Sequence, residues 1–206
     1  SRIVSNLSIN QTVNLIIRTN KDKARIKLEL KKFRSNLSKI KFHIIVTDRI
    51  WIRDSGPLFL INNKKGKKII LNFRFNGWSK YNDYQKDNKI NTKIAKLIKI
   101  KKIEPKIKVK KNLKKIVLEG GAIDVNGQGS ILLTRECLLS KVQQRNPGVN
   151  KLNLENAFRK YLNLKNFIWL NKGIKGDDTH GHIDDIARFV SPNTIMAAIE
   201  KNKKDK

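Results

Sequence analysis

The chain has 206 residues, of which 46 are Lys or Arg and 17 are Asp or Glu, so its formal net charge is +29. A hydrophobic content of 39% is enough for one folded core, and the chain is too short for two domains of ordinary size, so we expect one domain over residues 1–206. No apolar run of about 18 residues is visible, which argues against a membrane span, and a single cysteine, Cys137, excludes an internal disulfide and predicts a cytoplasmic location.

The positive charge is typical of proteins that bind nucleic acid or anionic membranes. However, only 11 of the basic residues are Arg, which is the better bidentate partner of phosphates and bases. The Lys residues are scattered among Ile and Asn, and the Lys-rich residues 96–115 are typical of a solvated strand edge. We therefore interpret the charge as a bias of composition and expect neither nucleic acid nor a membrane as a partner.

Short apolar runs alternate with helical patterns along the chain. The predicted strands are residues 13–17, 42–46, 57–61, 68–75, 116–118, 122–125, 130–134, 167–170, 182–190 and 194–199. The predicted helices are residues 21–33, 87–98 and 154–162, with a hairpin turn around 62–66 and another at 126–127. Strands in pairs or triplets separated by single helices predict an α/β fold of repeated small units.

A dense acidic cluster surrounds His182 in the segment GDDTHGHIDDIARF, residues 176–189. If residues 182–190 form a strand, His182 and Asp184 lie on the same face, because side chains alternate along a strand. A histidine and a carboxylate in one cleft can perform general acid/base chemistry while the carboxylate holds a cation. A solvated loop with an unremarkable histidine is the alternative interpretation.

A second dense segment, TDRIWIRDSGPLF, covers residues 47–59 and follows a predicted strand, where α/β folds commonly place binding groups. In an extended conformation residues 48, 50, 52 and 54 share one face, and the turn at 55–57 lets Asp54 tip inward. Alternatively, Asp54 pairs with Arg53 or caps the turn, and Trp51 belongs to the core.

A third segment, LEGGAIDVNGQGSILLTREC, covers residues 118–137. Glu119 lies between apolar residues and glycines, so it is either a buried, paired carboxylate or an acid that faces a cleft. Burial without a partner would be costly. Gly120 and Gly121 permit a close backbone approach.

Five motifs together resemble those of the agmatine deiminases, whose wider family includes the bacterial-type peptidylarginine deiminases. They are WIRDSGP (51–57), FNGW (75–78), LEGGAIDVNGQGSILLTRECLL (118–139), QRNPG (144–148) and GDDTHGHIDD (176–185), in the family's order and spacing. The resemblance covers about residues 42–199. It implies the pentein fold, a pseudo-five-fold α/β propeller of ββαβ-like units, with about three units present in a chain that is incomplete at both ends.

The resemblance also implies a reaction, the conversion of agmatine to N-carbamoylputrescine through a covalent cysteine intermediate. His182, Asp184 and Asp54 would be catalytic, with His182 protonating the departing ammonia and later activating water. Asp54 and Asp184 would hold the guanidinium, Glu119 would contact the substrate or its distal amine, and Trp51 would line the pocket. No metal or cofactor is implied.

The nucleophilic cysteine of the family belongs near the C-terminus, and nothing like it occurs before Lys206. Cys137 stands where family members carry a structural cysteine, and its apolar neighbours predict burial and an inert thiol. We therefore expect the chain alone to be inactive.

Two other functions stay open from the sequence. One keeps the fold and changes the substrate or acceptor, as in a peptidylarginine or arginine deiminase or an amidinotransferase. The other is a Lys-rich binding protein on the same scaffold. A small guanidinium cation is the expected partner, and the resemblance makes a homo-oligomer plausible.

Overall fold

The computed structural model describes residues 1–62 and 64–202, which fold as two compact units. The smaller unit is Ser1–Asp48, and the larger unit begins at Arg49. No helix in the described part of the chain combines the length and the apolar character that crossing a membrane requires.

The smaller unit is a βαβ arrangement preceded by one helix. Its elements are α1 (Arg2–Asn10), β1 (Val13–Ile17), α2 (Asn20–Lys32) and β2 (Ile40–Ile44). β1 and β2 pair in parallel with Val13 opposite Ile40, and a reciprocal capping box between Thr19 and Asp22 begins α2. The predicted strands and the predicted helix are present, whereas α1 lies outside the predictions because no side-chain cap marks its start.

The larger unit contains ten strands and four α-helices within its described residues. In chain order they are α3 (Ile52–Ser55), β3 (Leu58–Ile61), β4 (Lys68–Leu71), α4 (Ile90–Leu97), β5 (Lys102–Ile103), β6 (Lys106–Val109), β7 (Asn112–Lys115), β8 (Asp124–Val125), β9 (Ser130–Thr134), α5 (Arg135–Leu139), α6 (Lys151–Leu162), β10 (Asn166–Leu170), β11 (Ala187–Ser191) and β12 (Thr194–Ala197).

One motif occurs twice in the larger unit: an antiparallel pair, then a helix, then a strand parallel to the second strand of the pair. The first copy is β3-β4-α4-β5 and the second is β8-β9-α6-β10. β11 and β12 form another antiparallel pair, and β6 and β7 form a separate hairpin. The sheets are therefore several and small, as expected for a chain of repeated ββαβ-like units.

The main core of the larger unit includes one face of β9 and one face of α6. Ile131 and Leu133 alternate along β9 and are completely buried. Leu154 and Phe158, one turn apart on α6, are also completely buried. Cys137 lies in the same core with no exposed surface, and burial raises the pKa of its thiol. The predicted burial of this cysteine is confirmed.

Four predictions near the acidic motifs are wrong in detail. Residues 48–54, expected to be extended, lead into α3. Residues 116–118 form one isolated bridge, between Arg74 and Val117, and a 3₁₀ turn at residues 120–122 shortens the predicted strand 122–125 to β8. Another 3₁₀ turn covers Ile183–Asp185, so the predicted strand 182–190 begins only at Ala187. In each case contacts from distant residues override the local strand pattern.

Other local predictions agree with the structure. β3 and β4 pair as the predicted hairpin, although Asn63 of its turn lies outside the described residues. The predicted helix 87–98 is a 3₁₀ turn followed by α4. All four residues of β7 in the Lys-rich segment are exposed, as expected for a solvated strand edge.

Candidate active site

An acidic cavity of about 350 Å³ opens in the larger unit, where α3, the 3₁₀ turns and the acidic segment meet. Its lining residues are Arg49, Trp51, Arg53, Asp54, Trp78, Tyr81, Asp177, Asp178, Thr179, His182, Asp184 and Asp185. A larger cavity of about 900 Å³ lies beside α4 and the β6-β7 hairpin, but its lining is rich in Lys and Asn and has Glu104 as its one carboxylate. The smaller cavity holds the groups that can perform chemistry.

Asp54 is fixed on α3 by two hydrogen bonds from distant residues. The indole Nε1 of Trp78 donates to Oδ2 at 3.0 Å, and the backbone N–H of Gly121 donates to Oδ1 at 3.0 Å. The side chain is 8% exposed, and this burial raises the pKa of Asp54, against the opposing charge of His182. The predicted inward orientation of Asp54 is present, but a helix produces it instead of an extended strand.

Gly121 marks the point on which three functional side chains converge. A Cβ atom there would lie 2.5 Å from Nδ1 of His182, 2.7 Å from Oδ1 of Asp54 and 3.0 Å from Oδ2 of Asp184. At Gly120 a Cβ atom would lie 2.1 Å from the carbonyl oxygen of Arg53. Glycine is therefore required at 120 for backbone packing and at 121 to let the three side chains approach the backbone.

The backbone at His182 is held by the carboxylate of Asp177. Oδ2 of Asp177 accepts from the N–H of His182 at 2.9 Å and from that of Gly181 at 2.8 Å, and Oδ1 accepts from the N–H of Thr179 at 2.8 Å. The hydroxyl of Thr134, at the end of β9, donates to the carbonyl of Gly181. These contacts place the imidazole at the cavity wall without any strand.

Three carboxylates surround the His182 ring, which is 3% exposed. Nδ1 lies 3.7 Å from Oδ1 of Asp54 and 3.9 Å from Oδ1 of Asp184, and Nε2 lies 3.8 Å from Oε2 of Glu119. Burial disfavours the imidazolium, but interactions with Cys137 and Glu119 and the charge of Asp54 raise the pKa of His182 to about 10. His182 is therefore a cation at neutral pH.

Glu119 lies behind His182 in the protein interior. Its Oε1 accepts from Nε of Arg145 at 3.2 Å, and both side chains are completely buried. Arg145 also donates to the carbonyls of Gln143, at 3.0 Å, and Thr179. Burial raises the pKa of Glu119, but the interactions with His182 and Arg145 outweigh it and the pKa is lowered. Of the two interpretations of Glu119, the buried and paired carboxylate is confirmed, and its contact with a substrate stays a prediction.

Asp184 binds two guanidinium groups of the protein itself. Its Oδ2 lies 3.5 Å from Nε of Arg53 and 3.9 Å from NH1 of Arg188. The alternative pairing of Arg53 with Asp54 is wrong, since Arg53 contacts Asp184. Trp51 is 57% exposed and lines the cavity, so its assignment to the core is wrong as well.

Some groups of the site were not assigned a role from the sequence. Trp78 and Arg145 lie inside the FNGW and QRNPG motifs, and Asp177 belongs to the acidic cluster, but only the folded chain reveals their contacts. The signal that could have found Arg145 is the need of a buried Glu119 for a cationic partner.

Comparisons with known proteins agree on one family. Residues 1–206 match the Porphyromonas-type peptidyl-arginine deiminases. A relative from Latilactobacillus sakei with the provisional name agmatine deiminase is 38% identical over 160 residues, which are 75% of this chain and 41% of the relative. The chain spans about two fifths of the length of the curated relatives it matches.

Two solved structures give the same result. The agmatine deiminase of C. jejuni, as a Cys-to-Ser variant with substrate bound, is 33% identical with a TM-score of 0.80. The match covers 99% of this chain and 56% of the C. jejuni chain. The agmatine deiminase of Enterococcus faecalis, in a structure of the enzyme catalysing its reaction, is 27% identical with a TM-score of 0.78. The match covers 98% of this chain and 52% of the E. faecalis chain. These likenesses confirm the expected pentein α/β fold. The chain belongs to the Porphyromonas-type peptidyl-arginine deiminase family.

Proposed function

We propose that this chain supplies the guanidinium-binding and proton-transfer groups of a deiminase that converts a guanidinium to a ureido group and releases ammonia. The observation that carries the proposal is the convergence of His182, Asp54 and Asp184 on Gly121, where they leave no room for a Cβ atom. A guanidinium is planar and cationic, and carboxylates bind it through charge-assisted hydrogen bonds. Two carboxylates and a proton donor around one point fit the needs of this group.

The contacts of Asp184 support the same ligand chemistry. Arg53 and Arg188 already present their guanidinium groups to its Oδ2, and the side chain of Arg53 is 50% exposed at the cavity. An entering guanidinium therefore replaces the weak, solvent-screened contacts of these two arginines with Asp184 and does not have to break a buried ion pair. Trp51, exposed at the cavity wall, offers an aromatic face to a cation.

In the proposed reaction a cysteine thiolate attacks the guanidinium carbon. The C–N bond to the departing nitrogen breaks, and the imidazolium of His182 gives its proton so that ammonia leaves. Water then attacks the thiouronium carbon and His182 accepts one of its protons. The C–S bond breaks to restore the thiolate, and the second water proton leaves to the solvent as the ureido carbonyl forms. Asp54 and Asp184 hold the guanidinium nitrogens, and Glu119 stabilises the charged His182.

Cys137 is unsuited to act as the nucleophile. Its side chain has no exposed surface and burial raises its pKa, so a thiolate there is disfavoured. We place the nucleophile on a part of the full-length protein outside residues 1–206. The C. jejuni relative, a Cys-to-Ser variant with substrate bound, supports a cysteine of this kind.

Agmatine is the proposed substrate, since the C. jejuni and E. faecalis relatives with solved structures carry the name agmatine deiminase. The test is an assay of ureido product with the full-length protein on agmatine, free arginine and a peptidyl-arginine. We expect turnover of agmatine, and its loss in Asp54→Asn and Asp184→Asn. Glu104→Gln is the matched control, because Glu104 pairs with Lys102 and Lys115 outside the acidic cavity and its loss should leave turnover unchanged. No ureido product from any of the three guanidines would overturn the proposal.

A further inference from the structure

Behind the His182 ring, on the side away from the acidic cavity, three potential metal ligands lie together. The Sγ of Cys137, a ring nitrogen of His182 and a carboxylate oxygen of Glu119 are all within 4.8 Å of one another. Cys137 and Glu119 have no exposed surface, and His182 is 3% exposed. This trio forms a buried cluster of a thiol, an imidazole and a carboxylate.

Two atoms of the trio have no hydrogen-bond partner among the described residues. They are Oε2 of Glu119 and Nε2 of His182, which face each other across 3.8 Å. This separation is too long for a hydrogen bond. Because buried polar atoms are almost always paired, two orphaned atoms that face the same small space point to an additional binding partner there.

The carboxylate of Glu119 is already divided between two roles. Oε1 accepts from Arg145, which fixes the orientation of the group, and Oε2 accepts no hydrogen bond and faces the charged His182 ring. A fixed second contact of this kind orients ligands in natural metal sites. The site is therefore oriented before an ion arrives.

We propose that Cys137, His182 and Glu119 form a binding site for a thiophilic divalent cation of the zinc class, with Nε2 of His182 as one ligand. A thiolate, an imidazole and a carboxylate are all accepted by such an ion, at distances of about 2.0–2.3 Å. The 3.8 Å between Oε2 and Nε2 already fits one ion placed between them, and all three ligand atoms lie within 4.8 Å of one another.

Binding has a defined proton balance. Cys137 must lose its thiol proton and His182 must lose the proton of its imidazolium, so each bound ion releases two protons. In the range where both groups are protonated in the free protein, the affinity should therefore rise about 100-fold for each unit of increasing pH. A cation held only by ionised carboxylates of the acidic cavity releases none.

The proposed ion also removes the proton that His182 carries. If the proposed deimination is correct, the bound ion inhibits it reversibly, and a chelator restores turnover. This consequence depends on the proposed function, whereas the binding site itself does not.

The test is a titration of the full-length protein with Co²⁺ and Zn²⁺. We expect a thiolate-to-cobalt charge-transfer band, displaced by Zn²⁺, and release of two protons per ion in calorimetry with buffers of different ionisation enthalpy. The band should disappear in Cys137→Ser and persist in Asp184→Asn, which alters the acidic cavity and leaves the trio intact. Circular dichroism checks that both variants fold, and Cys137→Ala replaces the serine variant if that one does not.

Three results would overturn the proposal: no binding in large excess of ion, a band that survives loss of Cys137, or binding without proton release. The last two identify a different cysteine or the cavity carboxylates as the ligands. Absence of deiminase activity would leave the metal test unaffected, because its readouts are optical and calorimetric. The two proposals therefore fail independently.

Discussion

Replacement of Gly121 by Ala tests the convergence of the three side chains directly. The added methyl group would lie 2.5 Å from Nδ1 of His182, and an ordinary contact begins at 3.4 Å, so the ring must retreat by 0.9 Å. Because a misplacement of about 1 Å can cost a reaction about 100-fold, we expect kcat/KM of the full-length protein on agmatine to fall by at least that factor. Overpacking should cost only about 1–3 kcal/mol of stability.

The neighbouring glycine offers a matched control for this prediction. In Gly120→Ala the new methyl group meets the carbonyl oxygen of Arg53 at 2.1 Å, a backbone atom that cannot rotate away. We expect this variant to lose stability in urea denaturation more than Gly121→Ala does. The reasoning would be refuted if Gly121→Ala kept kcat/KM within about tenfold of the wild type, since three groups that tolerate a methyl between them do not converge.

Three further predictions concern the groups around the cavity. Asp177→Asn removes a charged acceptor of backbone N–H groups, so we expect the free energy of unfolding to fall by about 1–3 kcal/mol and hydrogen exchange at the His182 amide to become faster. The pKa of His182 rises on folding from 6.5 to about 10, so protonated His182 stabilises the folded state fully below pH 6.5, and this stabilisation disappears as pH rises through about 10. An NMR titration that gives a pKa near 6.5 for His182 in the folded protein would contradict this. Glu119→Gln leaves Arg145 buried without its counter-charge and should cost about 3–5 kcal/mol in urea denaturation, whereas Glu104→Gln, in a partly exposed pair, should cost about 1 kcal/mol or less.

The sequence predicted the regular elements well because their signals are local. β1 and β9 coincide with the predicted strands, and α6 differs from its prediction by three residues at its start. Alternating burial along a strand and an apolar face along a helix are visible within a short window. The repeated ββαβ order followed from these elements together with the family resemblance.

The functional segments were harder to predict because distant residues shape them. Asp54 faces inward through contacts with Trp78 and Gly121, and no pattern within residues 47–59 encodes those partners. The acidic segment is shaped by Asp177 within it and by the distant Thr134, so His182 precedes a 3₁₀ turn instead of starting a strand. The motifs contain the residues that the structure brings together, but their geometry depends on tertiary contacts, and their functional roles stay predictions. The cytoplasmic location and the lack of a nucleic-acid partner stay predictions.

The convergence at Gly121 also bears on how the protein folds. Asp54 and Gly121 are 67 residues apart, so their hydrogen bond closes a long loop, and such contacts form late because chain entropy is lost before they stabilise. Hairpins and helices depend on nearer neighbours and can form first. The indole of Trp78 is buried and bonded to Asp54, so it becomes a fluorescent reporter once the other tryptophans of this chain, Trp51 and Trp169, are replaced by Phe. Its signal during refolding should follow the assembly of the cavity after the core has collapsed.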